Sequence, residues 1–335
     1  MRTLLRVLGG LILATLILLV AVFFWFQSYI VHTLDGVRLD IPFLRGILDD
    51  IPYIIEDEPE LPDLPFLVLP VIPETPEPDE PPTDLPPFRS VFLAASDLEG
   101  MPDVNLTLEG FRADAVLLAV NDETGRLWWT SDTETAVGYQ LYGTGEIGEM
   151  LEDVGSQFSR SALLVGFHNE LLATRNPAAA LDGFPGWVNP QETAMRDYVM
   201  DLGLELARLG FDEIVLTDFA FPLGYPTAED AVILDFLQDF AAALATLDVS
   251  LSVLTHEHDW YDPDGGVYFR PALYRLADVV VRFYCILEPR TLTDGERYDA
   301  LMAAVQSVLG GGTGRFVPVG TGSGPDEGNW TVRVS

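Results

Sequence analysis

Three patterns of hydrophobic and polar positions follow one another along the chain, and each predicts a different kind of structure. From Val7 to Phe26 there is no charged residue. As a helix this stretch would rise about 30 Å, enough to cross a bilayer's hydrocarbon core. Trp25 and Tyr29 stand where an interfacial aromatic belt forms. A long middle segment then breaks every regular period with proline. From residue 88 onward, short apolar runs rich in β-branched residues recur: Val91–Ala95, Ala115–Val120, Ala162–Phe167, Glu213–Leu216, Leu251–Leu254, Val279–Tyr284, Phe316–Val319 and Trp330–Val334. Helical stretches or long loops separate most of them. Continuous apolar strands alternating with helices predict parallel strands covered on both faces. Eight such runs within about 250 residues fit an α/β (β/α)8 barrel of the TIM type. A doubly wound open sheet is the alternative, but no GxGxxG motif follows the first strand.

One helix has legible ends. Asn189 is a candidate N-cap, Pro190 the first helical residue, and Glu192 the reciprocal capping-box acceptor. Met195, Tyr198, Val199, Leu202, Leu206 and Leu209 then form one apolar stripe. Gly210 is expected to end the helix in a left-handed cap, and the fourth strand follows at once. Further helices are expected near 146–157, 228–246 and 293–309.

Three zones result. Residues 1–31 read as a transmembrane signal anchor: Phe23-Phe24-Trp25-Phe26 offers no small-residue cleavage site, and Arg2 and Arg6 favour an N-terminus inside. Residues 32–87 read as a juxtamembrane segment and linker. Its part from 52 to 87 holds 12 prolines and 10 acids, which predicts extended polyproline-like chain reaching roughly 110 Å at about 3.1 Å per residue. Residues 88–335 read as the barrel. The expected location is the cell membrane, single-pass, with the barrel outside the cytoplasm.

Composition narrows the chemistry. The 335 residues carry 52 acids and 18 basic residues, all arginine, for a net charge of −34. Without lysine there is no Schiff-base or P-loop lysine chemistry. Nucleic acid is excluded as a partner because phosphate binding needs clustered cations. A single cysteine, Cys285, rules out an internal disulfide. No cofactor is expected.

In a (β/α)8 barrel the working residues stand at the C-terminal ends of the strands. Those ends here read Asn121-Asp122-Glu123, His168-Asn169-Glu170, Thr217-Asp218 and His256-Glu257-His258-Asp259, with Glu288 beyond the sixth strand. Glycoside hydrolysis needs one protonated acid and one carboxylate base or nucleophile, about 5–10 Å apart. Asp218 or Glu257 is the candidate general acid, and Asp122 or Glu288 the candidate base or nucleophile. Trp128, Trp129, Trp187, Trp260 and Tyr261 follow strand ends and could stack on sugar rings. His256 and His258 could face a metal together, but a solvated loop is the simpler account and no metal is expected. Gly320-Thr321-Gly322-Ser323-Gly324 occupies a frequent phosphate position, although a flexible turn suits this acidic chain better. Asn105-Leu106-Thr107 and Asn329-Trp330-Thr331 match the glycosylation sequon.

Three stretches resemble a known family. They are Ala113–Leu127, with Asn121-Asp122-Glu123-Thr124-Gly125; Asn176-Pro177-Ala178-Ala179-Ala180, followed by Trp187-Val188-Asn189-Pro190; and Leu209-Gly210-Phe211-Asp212-Glu213-Ile214, ending in Phe221-Pro222. In order and spacing they resemble the glycosyl hydrolase-like domain family, a (β/α)8 group first catalogued as a domain of unknown function. The resemblance runs from about 113 to 222 and implies a barrel acting on polysaccharide or oligosaccharide. It also implies an acid where this chain has Thr217 and another where it has Ala119, an arginine at Ala220 and a lysine at Asn121. Asp218 lies one residue beyond the expected acid, and one residue along a strand turns the side chain to the other face. It can serve only if a bulge re-aims it. Two functions are therefore expected: a membrane-anchored glycoside hydrolase of cell-envelope or extracellular polysaccharide, or a degenerate barrel that binds glycan or protein without cleaving it. A purely scaffolding barrel is a third.

Overall fold

The structure, a computed structural model, describes residues 30–33, 36–39, 87–94, 97, 101, 103–143, 145, 147–222, 224–225, 230–260, 273–310, 312–321 and 328–333. The expected membrane span at 7–26 and the proline-rich linker lie outside them. Among the described residues, no helix is long and apolar enough to cross a membrane.

The chain divides into two compact units, Met1–Pro76 and Glu77–Ser335. The first contains a two-stranded antiparallel ladder, Ile30–Thr33 against Gly36–Leu39. The sequence reading assigned no element there, although Asp35-Gly36 beside Val31, Val37 and Leu39 is a hairpin signal.

The second unit is a closed barrel of parallel strands. These are β1 (Arg89–Ala94), β2 (Ala115–Ala119), β3 (Ser159–Val165), β4 (Glu213–Thr217), β5 (Ser250–His256), β6 (Phe283–Ile286), β7 (Phe316–Thr321) and β8 (Trp330–Arg333). Each pairs with its sequence neighbours, and β8 closes the ring on β1, with Thr331 opposite Ser90. Around them lie α1 (Val104–Gly110), α2 (Glu134–Tyr139), α3 (Ile147–Glu152), α4 (Glu170–Arg175), α5 (Thr193–Leu209), α6 (Asp230–Ala245), α7 (Glu257–Trp260), α8 (Leu273–Leu276) and α9 (Gly295–Leu309). The barrel thus stands as expected. The sixth strand overlaps the expected run Val279–Tyr284 only at its end, beginning four residues later and ending two later, because Val280 is packed into the core ahead of the strand and its apolar character blurs the boundary.

Most of the apolar stripe of α5 is buried as its spacing predicts, Met195, Tyr198, Val199, Leu202 and Leu206 facing the core, but Leu209, expected to complete it, is exposed at the helix end. Gly210 closes the helix with φ 106°. The start differs from expectation. The helix begins at Thr193, and Asn189 Oδ1 instead accepts from the Gln191 amide in a turn. Gly203 lets α5 meet α6 closely, since a Cβ there would stand 2.2 Å from Phe240 Cζ. Phe240 is fully buried and has nowhere to turn. Gly203→Ala is expected to destabilise the fold by about 1–3 kcal/mol through overpacking, read as a lowered thermal midpoint; an unchanged midpoint would mean that the two helices separate freely.

Candidate active site at the barrel mouth

Strand parity decides which side chains enter the barrel. Ala115, Leu117, Leu163, Val215, Leu254, Tyr284, Val317 and Val319 form its internal cluster, with Phe92 and Ala119 packed on it. Val116, Leu118, Ile214, Leu216, Val253 and Phe283 belong to the larger cluster shared with the helices. Barrel interiors are filled in layers of four side chains from alternate strands. Carried to the strand ends, parity and register place Ala119, Thr217, Ile286 and Arg333 in one inward layer. Ala94, Val165, His256 and Thr321 form the next. Ile286, Thr321 and Arg333 are exposed, and Ala94, Ala119 and His256 are half-buried. The lumen therefore opens as a cup at the C-terminal mouth, closed beneath by Phe92, Leu163, Leu254 and Val319. Neither upper layer contains a carboxylate.

Asp218 is the acid next to this cup. Its φ is +48°, a left-handed conformation that is uncommon outside glycine and better tolerated by Asp and Asn than by most residues. The hydrogen bonding shows what the turn does. The consecutive carbonyls of Thr217 and Asp218 accept from the consecutive amides of Gly166 (2.8 Å) and Phe167 (2.9 Å). A regular parallel strand turns alternate carbonyls to opposite neighbours, so strand alternation stops at Thr217. The bulge-like break that the sequence required for Asp218 is thus present in the backbone. Gly166 permits it: a Cβ there would stand 3.2 Å from both carbonyl oxygens.

The other candidate carboxylates are engaged elsewhere. Asp122 is exposed, and its Oδ1 accepts from the Thr124 amide and hydroxyl in a local turn. Asn121, at the position of the implied lysine, continues the sheet instead. Its side-chain amide donates to the Val165 carbonyl and accepts from the Val165 amide. Glu257 is 2% exposed. It accepts from the Glu288 amide, the Thr291 hydroxyl and Arg297 Nε. Burial alone would raise its pKa, but the hydrogen bonds from Thr291, the Glu288 amide and Arg297 outweigh it and hold the carboxyl below its ordinary value of 4.5. A carboxylate held ionised is ill suited to donate a proton, so this environment argues against the general-acid role. Glu288 is exposed and takes a second bond from the same Arg297. Glu257 and Glu288 are therefore brought together, but on one guanidinium that binds α7, the segment after β6 and α9.

Because its folded pKa is depressed, Glu257 contributes stability that is present at neutral pH and is lost as pH falls through that pKa. Glu257→Gln should destabilise the protein by about 1–3 kcal/mol at pH 7, with the gap narrowing toward pH 4. Denaturant titrations of both proteins at the two pH values measure it. A gap that widens on acidification would mean the sign is wrong.

The aromatic candidates divide. Trp187 is half-buried and stacks on His168 at 5.1 Å and 6°, beside the end of β3. Trp128 is half-buried. Trp129 and Trp260, expected as sugar platforms, are core residues instead. Trp129 is 3% exposed and donates to Glu205; Trp260 is 8% exposed, donates to Thr255 and is wedged edge-on against Phe283 and Phe316. Their ring faces are already covered. Tyr261 lies outside the described residues. The sequence reading missed Tyr225, which stacks on Phe221 at 4.5 Å and meets Phe184 edge-on, in the loop beyond Asp218.

His256 and His258 stack at 5.3 Å. Among the described residues no group of three or more His, Cys, Asp or Glu side chains could hold a metal. Both sequon asparagines serve the fold. Asn105 donates to the Asp153 carbonyl, and Asn329 ties β8 to Phe88, Gly314 and Phe316. Of the glycine-rich stretch, Gly320 and Thr321 belong to β7 and the rest lies outside the described residues.

At the opposite, N-terminal end of the barrel, Glu213 is 1% exposed. Its carboxylate accepts from Ser161 (2.7 Å), Ser252 (2.5 Å), Tyr284 (2.8 Å) and Arg282 (3.1 Å). Burial, then the Glu213 charge, push the Tyr284 phenol well above its ordinary pKa, so it remains a neutral donor. Glu213, which belongs to the third stretch of the family resemblance, is therefore a floor bolt, far from the mouth. A cavity of about 1070 Å³ lies outside the barrel, along β7, β8 and α9. It reaches Thr321 at the end of β7 and Leu287 just beyond β6, and among its described lining residues only Tyr298 is titratable.

No protein-family model and no curated protein matches this chain. Solved structures share its fold. The glycoside hydrolase domain of PgaB (BpsB) from Bordetella bronchiseptica aligns over 74% of this chain and 94% of its own, with a TM-score of 0.52 and 12% identity. The glycoside hydrolase domain of PelA from Pseudomonas aeruginosa aligns over 70% and 84%, with a TM-score of 0.41 and 14% identity. The spore cortex-lytic enzyme SleL of Bacillus megaterium aligns over 70% of this chain, with a TM-score of 0.45 and 10% identity; the match spans half of SleL's length.

Proposed function

We infer that the barrel is a glycoside hydrolase acting on polysaccharide at its C-terminal mouth, with Asp218 as the acid nearest the reacting bond. The observation that carries this reading is the left-handed break at Asp218. A non-glycine residue held there stores strain, and strain of this kind collects at working sites. Support comes from the half-buried aromatics Trp187 and Tyr225 near the same strand ends, and from a shared fold with a glycoside hydrolase domain. Asp218 would protonate the leaving oxygen. The second carboxylate would come from the rim, where Asp122 and Glu288 stand at other strand ends, or its place would be taken by a nucleophile that the substrate supplies. Val7–Phe26 would anchor the protein in the cell membrane, and the proline-rich stretch would hold the barrel away from it on the extracytoplasmic side.

The second reading is a barrel that binds glycan without cutting it. It is favoured by one observation: the two upper inward layers contain no carboxylate. Incubating the full-length protein with purified envelope polysaccharides separates the two. Oligosaccharides seen by mass spectrometry and lost in Asp218→Asn would support the hydrolase. Retention of polysaccharide with no released product would support the binding barrel.

A further inference from the structure

Besides the His256 imidazole, the upper layers of the cup hold one ionisable side chain, and it is a cation. Arg333 ends β8 in the same layer as Thr217, Ala119 and Ile286. Its guanidinium carbon lies 5.4 Å from the ring centroid of Phe92, which packs on the internal cluster. That contact places the guanidinium on the lumen side of the wall. This cation–π contact steadies a side chain that otherwise has many rotamers. Arg333 is exposed, and among the described residues no carboxylate pairs with it. Arg282 and Arg297, by contrast, are both bonded to acids. In a chain with 52 acids and only 18 arginines, a guanidinium facing an open cup with no acid among the described residues beside it is an available carboxylate site.

The layer geometry adds an orientation. Strands four apart in a ring of eight face each other, so Arg333 on β8 looks across the cup toward the end of β4, where Thr217 and Asp218 stand. An anionic group entering the cup is attracted to the Arg333 wall and repelled from the Asp218 wall. The cup is shallow and blind, because Phe92, Leu163, Leu254 and Val319 fill the layer below. It suits the end of a chain rather than its middle.

We propose that Arg333 is a specificity residue that seats the carboxylate of a uronic acid at the end of a glycan chain, in the cup opposite Asp218. This rests on the reading that glycan binds at the mouth. The fork of the guanidinium matches a planar carboxylate with two parallel hydrogen bonds. The protein's negative field does not oppose this strongly, since it is screened beyond about 8 Å at physiological ionic strength.

The test is calorimetry on the full-length protein with a glucuronate-capped tetrasaccharide and with its carboxyl-reduced, glucose-capped counterpart. The acid-capped sugar should bind about 10- to 100-fold tighter. Arg333→Gln should bring the two to equal affinity. Arg333→Lys should restore only part of the preference, because it returns the charge without the fork. Equal binding of both sugars by the wild type overturns the carboxylate assignment but leaves the glycan reading standing. A preference that survives Arg333→Gln overturns the role of Arg333. Binding of neither sugar overturns the mouth as a glycan site, and this proposal with it.

Discussion

Glu213→Leu is expected to lower the unfolding free energy by about 3–5 kcal/mol, the largest stability effect predicted for a single site in this barrel. The wild-type carboxylate is nearly inaccessible to water and satisfies four donors from three neighbouring strands, Ser161 on β3, Ser252 on β5, and Tyr284 together with Arg282 at the start of β6. Leucine fills similar space but leaves a guanidinium, a phenol and two hydroxyls without an acceptor. An uncompensated, half-buried cation is the expensive part. Adding Arg282→Leu should therefore recover a substantial share of the loss, which distinguishes charge orphaning from poor packing. Urea unfolding of the single and double variants decides it. If the single variant lies within about 1 kcal/mol of wild type, the floor network does not hold the barrel together.

Asp218→Asn is expected to reduce turnover by about 10²- to 10⁴-fold, the range associated with a general acid, while the fold stays intact. Asparagine tolerates the left-handed region as aspartate does, so the backbone break and its bonds to Gly166 and Phe167 have no reason to move. Asp218→Gly is the informative companion. Glycine adopts φ +48° without strain, so it should be as stable as wild type or up to about 1 kcal/mol more stable, yet as inactive as Asn. A more stable, inactive glycine variant would mark strain kept for function. Full activity in either variant would remove Asp218 from the chemistry and leave the binding barrel as the better account.

The features visible in the sequence were local ones. The eight apolar runs were visible because strands buried on both faces carry few polar interruptions, and Gly210 was visible because a left-handed helix end selects glycine. Boundaries failed where one apolar context runs into another, as at Val280 before β6. The site was legible only by position. Strand ends located Asp218 and Glu257, but the partners of Glu257 lie 34 and 40 residues away, and no local pattern links Thr291 or Arg297 to it. Trp129 and Trp260 were misjudged for the same reason: their covering residues come from distant strands and helices. Arg333 went unnoticed because parity has meaning only once the register of β8 against β1 is known. The third stretch of the resemblance reaches the floor through Glu213, which explains how a barrel can keep it while its mouth diverges.

The seam between β1 and β8 has a kinetic consequence. Ser90 Oγ and Thr331 Oγ1 meet at 2.6 Å across 241 residues of sequence, and the Phe88 amide donates to Asn329 over the same separation. During synthesis β1 is made first and its partner on that side last. Until β8 emerges, β1 and β7 each present an open strand edge, a template for pairing with another chain. Long-range closures of this kind are slow. The interval before ring closure is thus the period of greatest risk of aggregation, and it ends only when Trp330–Arg333 pairs with β1.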